Sequence, residues 1–249
     1  MRGWLRRKGL IMTATLAFEK AAELLKESRD EIVSGRLGNM LSRVTSREQN
    51  VGAGLTKNGK ILIVTGSRGV PDYLFYNLRP IRDLPPMNEV EELTQILPRH
   101  VYHQGFLTHA ARILNFLGDE RPEFIIGHSL GAAAAQILGT ALNLPAICFA
   151  SPQVVARHAL EPAPLREHTH PQWNVFNVAW KQDFVTRGYR LIGYRSLGFR
   201  VEVDLQSWNI GIDHFVTHYQ ELLENDRKGD KKIPENWIDA AVEPPPVPL

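Results

Sequence analysis

The sequence predicts an α/β fold with a mostly parallel central sheet and helices on both of its faces. Short apolar runs of strand length alternate with helical patterns along the chain. The apolar runs lie at 61–65, 124–126, 146–150 and 174–179, and the helical patterns lie at 105–117 and 131–142. Strands that are separated by helices usually pair in parallel, because the helix carries the chain back to the edge at which the first strand began.

The two ends of this sheet follow other patterns. Residues 18–42 predict one or two helices, and residues 50–65 predict a hairpin that turns at Lys57-Asn-Gly-Lys60. The second strand of that hairpin, 61–65, is almost wholly apolar, which indicates a central strand covered on both faces. Residues 201–205 alternate between apolar and polar side chains instead. This alternation predicts an edge strand with one wet face.

Composition favours one soluble domain. The chain has 249 residues, of which 43% are hydrophobic and 22% charged. We predict a single domain over 18–235, preceded by an extension or weak signal at 1–17 and followed by a proline-rich disordered tail at 236–249. The formal charge is only +2, and the arginines form no basic stripe, so nucleic acid is not an expected partner. Cys148 is the single cysteine and is expected to be buried.

The N-terminus has the charge order of a secretory signal, but its apolar stretch is interrupted by threonines and no clear cleavage site follows. We therefore expect a cytoplasmic protein, with export as the alternative. Met12 is an alternative to Met1 as the start. No segment of the sequence approaches the roughly twenty apolar residues that a transmembrane helix requires.

Residues 123–136 predict a short buried strand, a sharp turn and a helix of small residues. Ser129 stands at the turn, where a residue adopts strained backbone angles and its neighbours two positions away must be very small. Gly127 and Gly131 meet that requirement. The alanines at 132–135 allow the helix to approach the sheet, and its N-terminal amides point towards any developing anion. Ser129 is therefore the predicted nucleophile.

A serine hydroxyl needs a base, which is normally a histidine held by a carboxylate. In α/β hydrolases these residues follow the chain order serine, acid, histidine. The first aspartate after Ser129 is Asp183, so only His214 and His218 of the nine histidines can serve.

Asp183 follows the apolar run that ends at Trp180, at the carboxyl edge of the sheet where open α/β sheets bind ligands. Its rival, Asp204, lies on the polar face of the predicted edge strand, where a solvated carboxylate is expected. His214 begins a helix after a loop and can reach the serine more easily than His218, which lies one turn further on. Asp183 and His214 are the preferred acid and base.

An oxyanion hole needs a second backbone amide from another strand end. Gly66 and Ser67 follow the strand at 61–65 and could supply it, although a polar turn would have the same sequence. The lysine and glycine spacing of a phosphate-binding loop is missing here.

Several segments together resemble the class 3 lipases, an α/β-hydrolase family that includes the fungal triacylglycerol lipases. The resemblance covers about residues 50–222. The elbow Gly127-His128-Ser129-Leu130-Gly131 matches the family in full. The other similar segments are Gly66-Ser67 with Asp72-Tyr73 and Asn77-Leu78, 101–106, 150–154, 181–185, and Asp213-His214 with Tyr219.

The resemblance implies an α/β-hydrolase fold with a Ser129, Asp183 and His214 triad, and with Ser67 and the Leu130 amide as the oxyanion donors. Two departures from the family stand out. Val64-Thr65 replaces an aromatic-arginine pair, and Ala150 replaces a glycine.

The implied activity is hydrolysis of lipid or short acyl esters through an acyl-enzyme, with no metal or cofactor. Acyl transfer or thioester hydrolysis by the same triad is one alternative, and a silent hydrolase-fold binding protein is another. The pair His168 and His170 suggests a metal site, but two histidines in a proline-flanked loop are more often merely exposed. Residues 79–100 form either a lid or a connector with a short helix at 89–97, and residues 186–199 are a second candidate for a substrate wall. No pattern in the sequence predicts acyl-chain preference or oligomeric state.

Overall fold

The computed structural model describes residues 16–45, 51–66, 88–98, 100–156, 174–181, 183–191, 193–203, 219, 221–224, 226 and 233–235. Five helices and nine strands have assigned bounds within them. The helices are α1 (Phe18–Ser34), α2 (Asn88–Ile96), α3 (Gln104–Leu117), α4 (Leu130–Leu142) and α5 (Phe184–Leu191). The strands are β1 (Leu41–Val44), β2 (Ala53–Thr56), β3 (Ile61–Val64), β4 (Phe124–His128), β5 (Ala146–Phe149), β6 (Val155–Ala156), β7 (Val175–Trp180), β8 (Tyr194–Arg195) and β9 (Phe199–Val203).

The central sheet has seven strands in the order β1-β2-β3-β4-β5-β7-β9. The pairs β1–β2 and β2–β3 are antiparallel. Every pair from β3 to β9 is parallel, and β6 and β8 form a separate two-stranded sheet. The mostly parallel sheet is confirmed, as are the hairpin of β2 and β3 and the central position of β3. Among the described strands, β9 lies at the edge, as predicted.

Helices cover both faces of the sheet, as the sequence predicts. Phe124 and Ile126 of β4 belong to the core beneath α1, whereas Ile125 between them belongs to the core beneath α3 and α4. This alternation follows from strand geometry, since successive side chains point to opposite faces. Because all three side chains are at most 2% exposed, β4 is buried on both sides.

The predicted helical region of residues 18–42 ends early, and its last part is a strand. Gly35 adopts a left-handed conformation with φ 68°, and its N–H donates to the carbonyl of Glu31, which terminates α1. The carboxylate of Glu31 then accepts the N–H groups of Met40 (2.8 Å) and Leu41 (3.1 Å). This glutamate connects the helix end to the start of β1, which the helical interpretation missed.

Within the described ranges, none of the helices has both the length and the apolar character of a membrane-spanning helix. The predicted extension at 1–17 and the tail at 236–249 lie outside the described residues except for Leu16 and Ala17, so the domain boundaries stay predictions.

Candidate active site

Ser129 occupies a sharp turn between β4 and α4, as the sequence predicts. Its backbone has φ 55° and ψ −126°, a combination that L-residues rarely adopt. The Ser129 N–H donates to the carbonyl of Phe149 at the end of β5 (3.0 Å), and its own carbonyl accepts from Ala132 (2.9 Å) and Ala133 (3.1 Å). The strained conformation is therefore held from the sheet on one side and from the helix on the other.

Gly127 and Gly131 are required at this turn because there is no room for a side chain. A Cβ atom on Gly127 would lie 2.6 Å from the Cα of Ala132. A Cβ atom on Gly131 would lie 2.3 Å from the carbonyl oxygen of Thr65 and 2.4 Å from that of Val64. Helix α4 therefore packs directly against the backbone at the end of β3. The steric interpretation of the two glycines is confirmed.

Gly131→Ala is expected to destabilise the protein by about 3 kcal/mol or more, because the clashing atoms are backbone atoms that cannot rotate away. Urea unfolding measures the loss. Gly188→Ala is the matched control, since a Cβ there meets nothing within 4 Å and lies inside α5. That control should gain up to about 1 kcal/mol from the higher helix propensity of alanine. Equal unfolding midpoints for Gly131→Ala and the wild type would contradict the packing argument.

The residue after β5 is a second strained position. Ala150 has φ 52° and is fully buried, and its N–H donates to the carbonyl of Val178 (3.0 Å). An L-residue in the left-handed region costs about 1–2 kcal/mol, which glycine avoids. This explains why a glycine suits this position in the family that the sequence resembles, and why the departure at Ala150 leaves the turn itself intact.

The backbone at the end of β3 lies beside the predicted nucleophile. A Cβ on Gly66 would lie 3.0 Å from the Cβ of Ser129 and 3.5 Å from Nδ1 of His128. The chain that leads into Ser67 therefore passes within contact distance of the serine. Leu130 begins α4 directly after Ser129, so its N–H is one of the first-turn amides that have no acceptor within the helix.

Asp183 is buried at the carboxyl edge of the sheet, where the sequence predicts the acid. It follows β7, its side chain is 3% exposed, and its N–H donates to the carbonyl of Trp180 (3.2 Å). One carboxylate oxygen accepts the N–H of Thr186 at 3.4 Å, while the Thr186 hydroxyl donates to the Asp183 carbonyl at 3.0 Å. Asp183 thus also caps the N-terminus of α5.

Ser129 and Asp183 lie at the same carboxyl edge of the sheet, on strands that have one strand between them. Ser129 follows β4 and Asp183 follows β7, with β5 between them. Neighbouring strands are about 4.8 Å apart, so the two strand ends are separated by about 10 Å. Two hydrogen bonds of about 2.8 Å and the width of one imidazole ring would occupy most of that gap.

Tyr219 packs beneath this edge of the sheet. Its ring centroid lies 6.2 Å from that of His128, 5.6 Å from Phe149 and 6.0 Å from Trp180, which are the last residues of β4, β5 and β7. Burial and, secondarily, the carboxylate of Asp183 raise the pKa of the Tyr219 hydroxyl well above its usual value. Tyr219 therefore remains a neutral phenol, close to the buried acid.

Gln136 is a buried polar residue that the sequence did not single out. On α4, its side-chain amide donates to the Ser151 hydroxyl and to the carbonyl of Pro152 (3.0 Å), and its oxygen accepts the N–H of Leu197 (2.8 Å). Through Gln136, helix α4 therefore binds both the turn after β5 and part of the segment 186–199, which is the second candidate for a substrate wall.

His109 is another buried residue that the sequence did not single out. It lies on α3 with 1% of its surface exposed, and its ring hydrogen-bonds to the backbone of Leu130. Burial, opposed by that hydrogen bond and aided by the charge of Arg112, lowers the pKa of His109 to about 3. No spacing rule could have identified it, because its partner is a backbone group.

The lowered pKa of His109 predicts acid sensitivity. An unfolded histidine binds a proton near pH 6.5, whereas the folded one binds it only near pH 3. Between these values the unfolded state holds the extra proton, so the free energy of unfolding falls as the pH falls, by up to about 1.4 kcal/mol per pH unit. In urea unfolding from pH 7 to pH 4, His109→Gln should lose less stability than the wild type. If the free energy of unfolding fell equally with pH in His109→Gln and in the wild type, this prediction would be contradicted.

Helix α2 confirms the short helix that we predicted at 89–97. Leu93 is fully buried and Leu97 is 7% exposed, and both belong to the core shared with α3 and α4. This packing favours the connector interpretation for residues 88–98. The remainder of the predicted lid region, 79–87 and residue 99, lies outside the described residues.

Several predicted site residues also lie outside the described residues: Ser67, His168, His170, Asp204, His214 and His218. Cys148 is buried in β5 as expected, and burial raises the pKa of its thiol. Over the described part of the chain, no three His, Cys, Asp or Glu residues are grouped closely enough to hold a metal ion.

Comparison with known proteins relates the fold to fungal lipases. No protein-family model matches the sequence. A sequence search of curated proteins gave no match either. Among solved structures, Lip2 lipase from Yarrowia lipolytica is similar with a TM-score of 0.50 and 15% identity, over 81% of this chain and 85% of that chain.

Two further fungal structures were found. A triacylglycerol lipase from Penicillium expansum has a TM-score of 0.44 and 16% identity, over 76% of this chain and 81% of that chain. Lipase II from Rhizopus niveus has a TM-score of 0.45 and 15% identity, over 78% and 84% respectively. The likeness to Lip2 shows that the chain has a fungal lipase-like α/β-hydrolase fold, and at this identity it shows the fold alone.

Proposed function

We propose that this chain, with its fungal lipase-like fold, is a serine carboxylester hydrolase that cleaves lipid or short acyl esters through an acyl-enzyme on Ser129. The observation that carries the proposal is the backbone of Ser129, with φ 55° and ψ −126° between a buried strand and a buried helix. Strain of about 1–3 kcal/mol persists only where the surrounding structure enforces it, and such strain clusters at functional sites. A strand-to-helix serine in this conformation presents its hydroxyl at the edge of the sheet.

In the proposed triad, His214 removes the proton of Ser129 and Asp183 orients the histidine and stabilises its charged form. The buried position of Asp183, with only β5 between its strand and that of Ser129, supports this role. Tyr219 contacts the same edge, and the five residues back to His214 span at most about 17 Å. His214 is therefore within reach, as is His218.

The proposed oxyanion donors are the backbone N–H groups of Leu130 and Ser67. Gly66, next to Ser67, lies against Ser129, and Leu130 opens the helix that follows it. As the hydroxyl of Ser129 attacks the ester carbonyl, the carbonyl oxygen becomes negatively charged and receives these two hydrogen bonds. Collapse of the tetrahedral intermediate releases the alcohol, and water activated by the histidine then cleaves the acyl-enzyme.

A fluorophosphonate probe tests the nucleophile. Such probes phosphonylate an activated serine, so peptide mapping of the labelled protein should find the adduct on Ser129. A folded sample that remains unlabelled would favour the silent binding protein. Modification at another serine would show that the nucleophile is wrongly assigned.

A second experiment tests the reaction and the base. Hydrolysis of p-nitrophenyl esters of increasing chain length, below and above the concentration at which each ester aggregates, would report acyl preference and interfacial behaviour together. Transfer of the acyl group to an added thiol or alcohol in place of water would favour the acyltransferase alternative. Loss of activity in His218→Ala, with activity retained in His214→Ala, would overturn the assigned base.

A further inference from the structure

His109 stands out as a buried polar residue between two closely packed helices. It is 1% exposed on α3, and the facing helix α4, from Leu130 to Leu142, carries no ionisable side chain. Burying a polar group in such surroundings is unfavourable unless it is hydrogen-bonded, and an apolar side chain would avoid that cost. Packing alone therefore gives no reason for a histidine here.

The hydrogen bond of His109 goes to the first residue after the proposed nucleophile. Its ring bonds to the backbone of Leu130, and the bond favours the protonated ring nitrogen. The ring N–H therefore donates, and the Leu130 carbonyl accepts. The first turn of the elbow helix is thus connected to α3, in addition to the bond between the Ser129 N–H and the Phe149 carbonyl.

These contacts determine the direction of one backbone amide. The N–H of Leu130 shares a peptide plane with the Ser129 carbonyl, and the Leu130 carbonyl belongs to the next peptide plane along the chain. The Ser129 carbonyl accepts the N–H groups of Ala132 and Ala133, and the Leu130 carbonyl accepts His109. With both peptide planes held, the N–H of Leu130 cannot rotate without breaking a buried hydrogen bond.

We infer that His109 is a positioning residue that orients the Leu130 N–H towards the oxyanion of the tetrahedral intermediate. The inference rests on the proposed function of Ser129 and names a residue that affects the rate of ester hydrolysis. His109 touches neither the ester nor the serine hydroxyl in this role. It acts through the backbone of Leu130, and it should affect the transition state more than substrate binding.

The test compares substitutions that remove or retain the donor. His109→Phe keeps a ring of similar size without an N–H, and His109→Gln keeps an N–H donor. For a p-nitrophenyl ester, His109→Phe should lower kcat about 10-fold to 100-fold with KM changed less than about twofold, because small misplacements of catalytic groups have effects of this size. His109→Gln should recover most of the kcat. If His109→Phe does not fold, His109→Leu, which also lacks a donor, gives the same comparison.

A second measurement separates positioning from general packing. An alkyl boronic acid forms a tetrahedral adduct with an active serine, and one oxygen of the adduct occupies the oxyanion hole. In His109→Phe the Ki of the boronic acid should therefore rise by about the same factor as kcat falls. Ile113→Val, at a fully buried position on α3, is the packing control. It should lower the urea unfolding midpoint and leave kcat unchanged.

The outcomes distinguish the inference from the proposed function. A wild-type protein that neither reacts with fluorophosphonate nor hydrolyses esters would overturn the proposed function, and the inference with it. An active wild type whose kcat is unchanged in a folded His109→Phe or His109→Leu variant would overturn the inference alone. An equal loss in the Gln and Phe variants would show that the ring shape, and not the donated hydrogen bond, matters.

Discussion

Ser129→Ala is expected to lower kcat for ester hydrolysis by about a millionfold, because the acyl-enzyme can no longer form. Single-turnover assays with a p-nitrophenyl ester measure the loss, and fluorophosphonate labelling should disappear with it. Ser42→Ala, at an exposed serine of β1 far along the sheet, is the control and should keep full activity.

Stability separates two equally inactive variants of the nucleophile. Alanine keeps the strain of φ 55°, whereas glycine adopts this conformation freely. Ser129→Gly should therefore be more stable than Ser129→Ala by about 1 kcal/mol, or about 2–4 °C in Tm for a chain of this size. A glycine variant no more stable than the alanine variant would mean that the turn stores no strain.

Asp183→Asn is expected to lower kcat by about ten-thousandfold, because an amide cannot stabilise the charged imidazole and favours the wrong tautomer. The substitution separates the two roles of this side chain. Asparagine caps a helix as well as aspartate does, so the cap of α5 that bonds Thr186 should survive and the unfolding free energy should change little. Steady-state kinetics and urea unfolding on the same sample measure both effects.

The rival acid provides the control for this prediction. Asp204→Asn removes the carboxylate that is the rival of Asp183 in the sequence, and it should leave kcat within about twofold of the wild type, as expected for a side chain on the polar face of the predicted edge strand. If Asp183→Asn were fully active, Asp183 would be only a helix cap. If the activity disappeared with Asp204→Asn instead, the acid would have to be reassigned.

The steric features of the elbow could be predicted from the sequence because they depend on residue type. Only glycine fits at 127 and 131, so the residue types at these two positions are enough to predict the sharp turn at Ser129. The buried strands of the parallel sheet were predictable for a similar reason, since continuous apolar runs are typical of strands covered on both faces.

Features that depend on backbone partners were not predictable. Strand β1 was interpreted as helix because its boundary is set by the carboxylate of Glu31, which bonds backbone N–H groups of Met40 and Leu41. His109 and Gln136 likewise bond to backbone atoms of distant segments. A backbone group is the same at every position, so it leaves no trace in the sequence of the partner segment.

The two edges of the described sheet bear on how this protein avoids aggregation. An open edge strand can add a strand from another molecule unless charge or irregularity prevents it. At one edge, β1 carries the exposed Arg43 and a break in register beside it. At the other, Arg200 and Glu202 of β9 are paired at 2.8 Å on a partly exposed face. Both edges therefore carry charged side chains that disfavour fibril-like growth by strand addition, so concentrated samples should resist this route of aggregation.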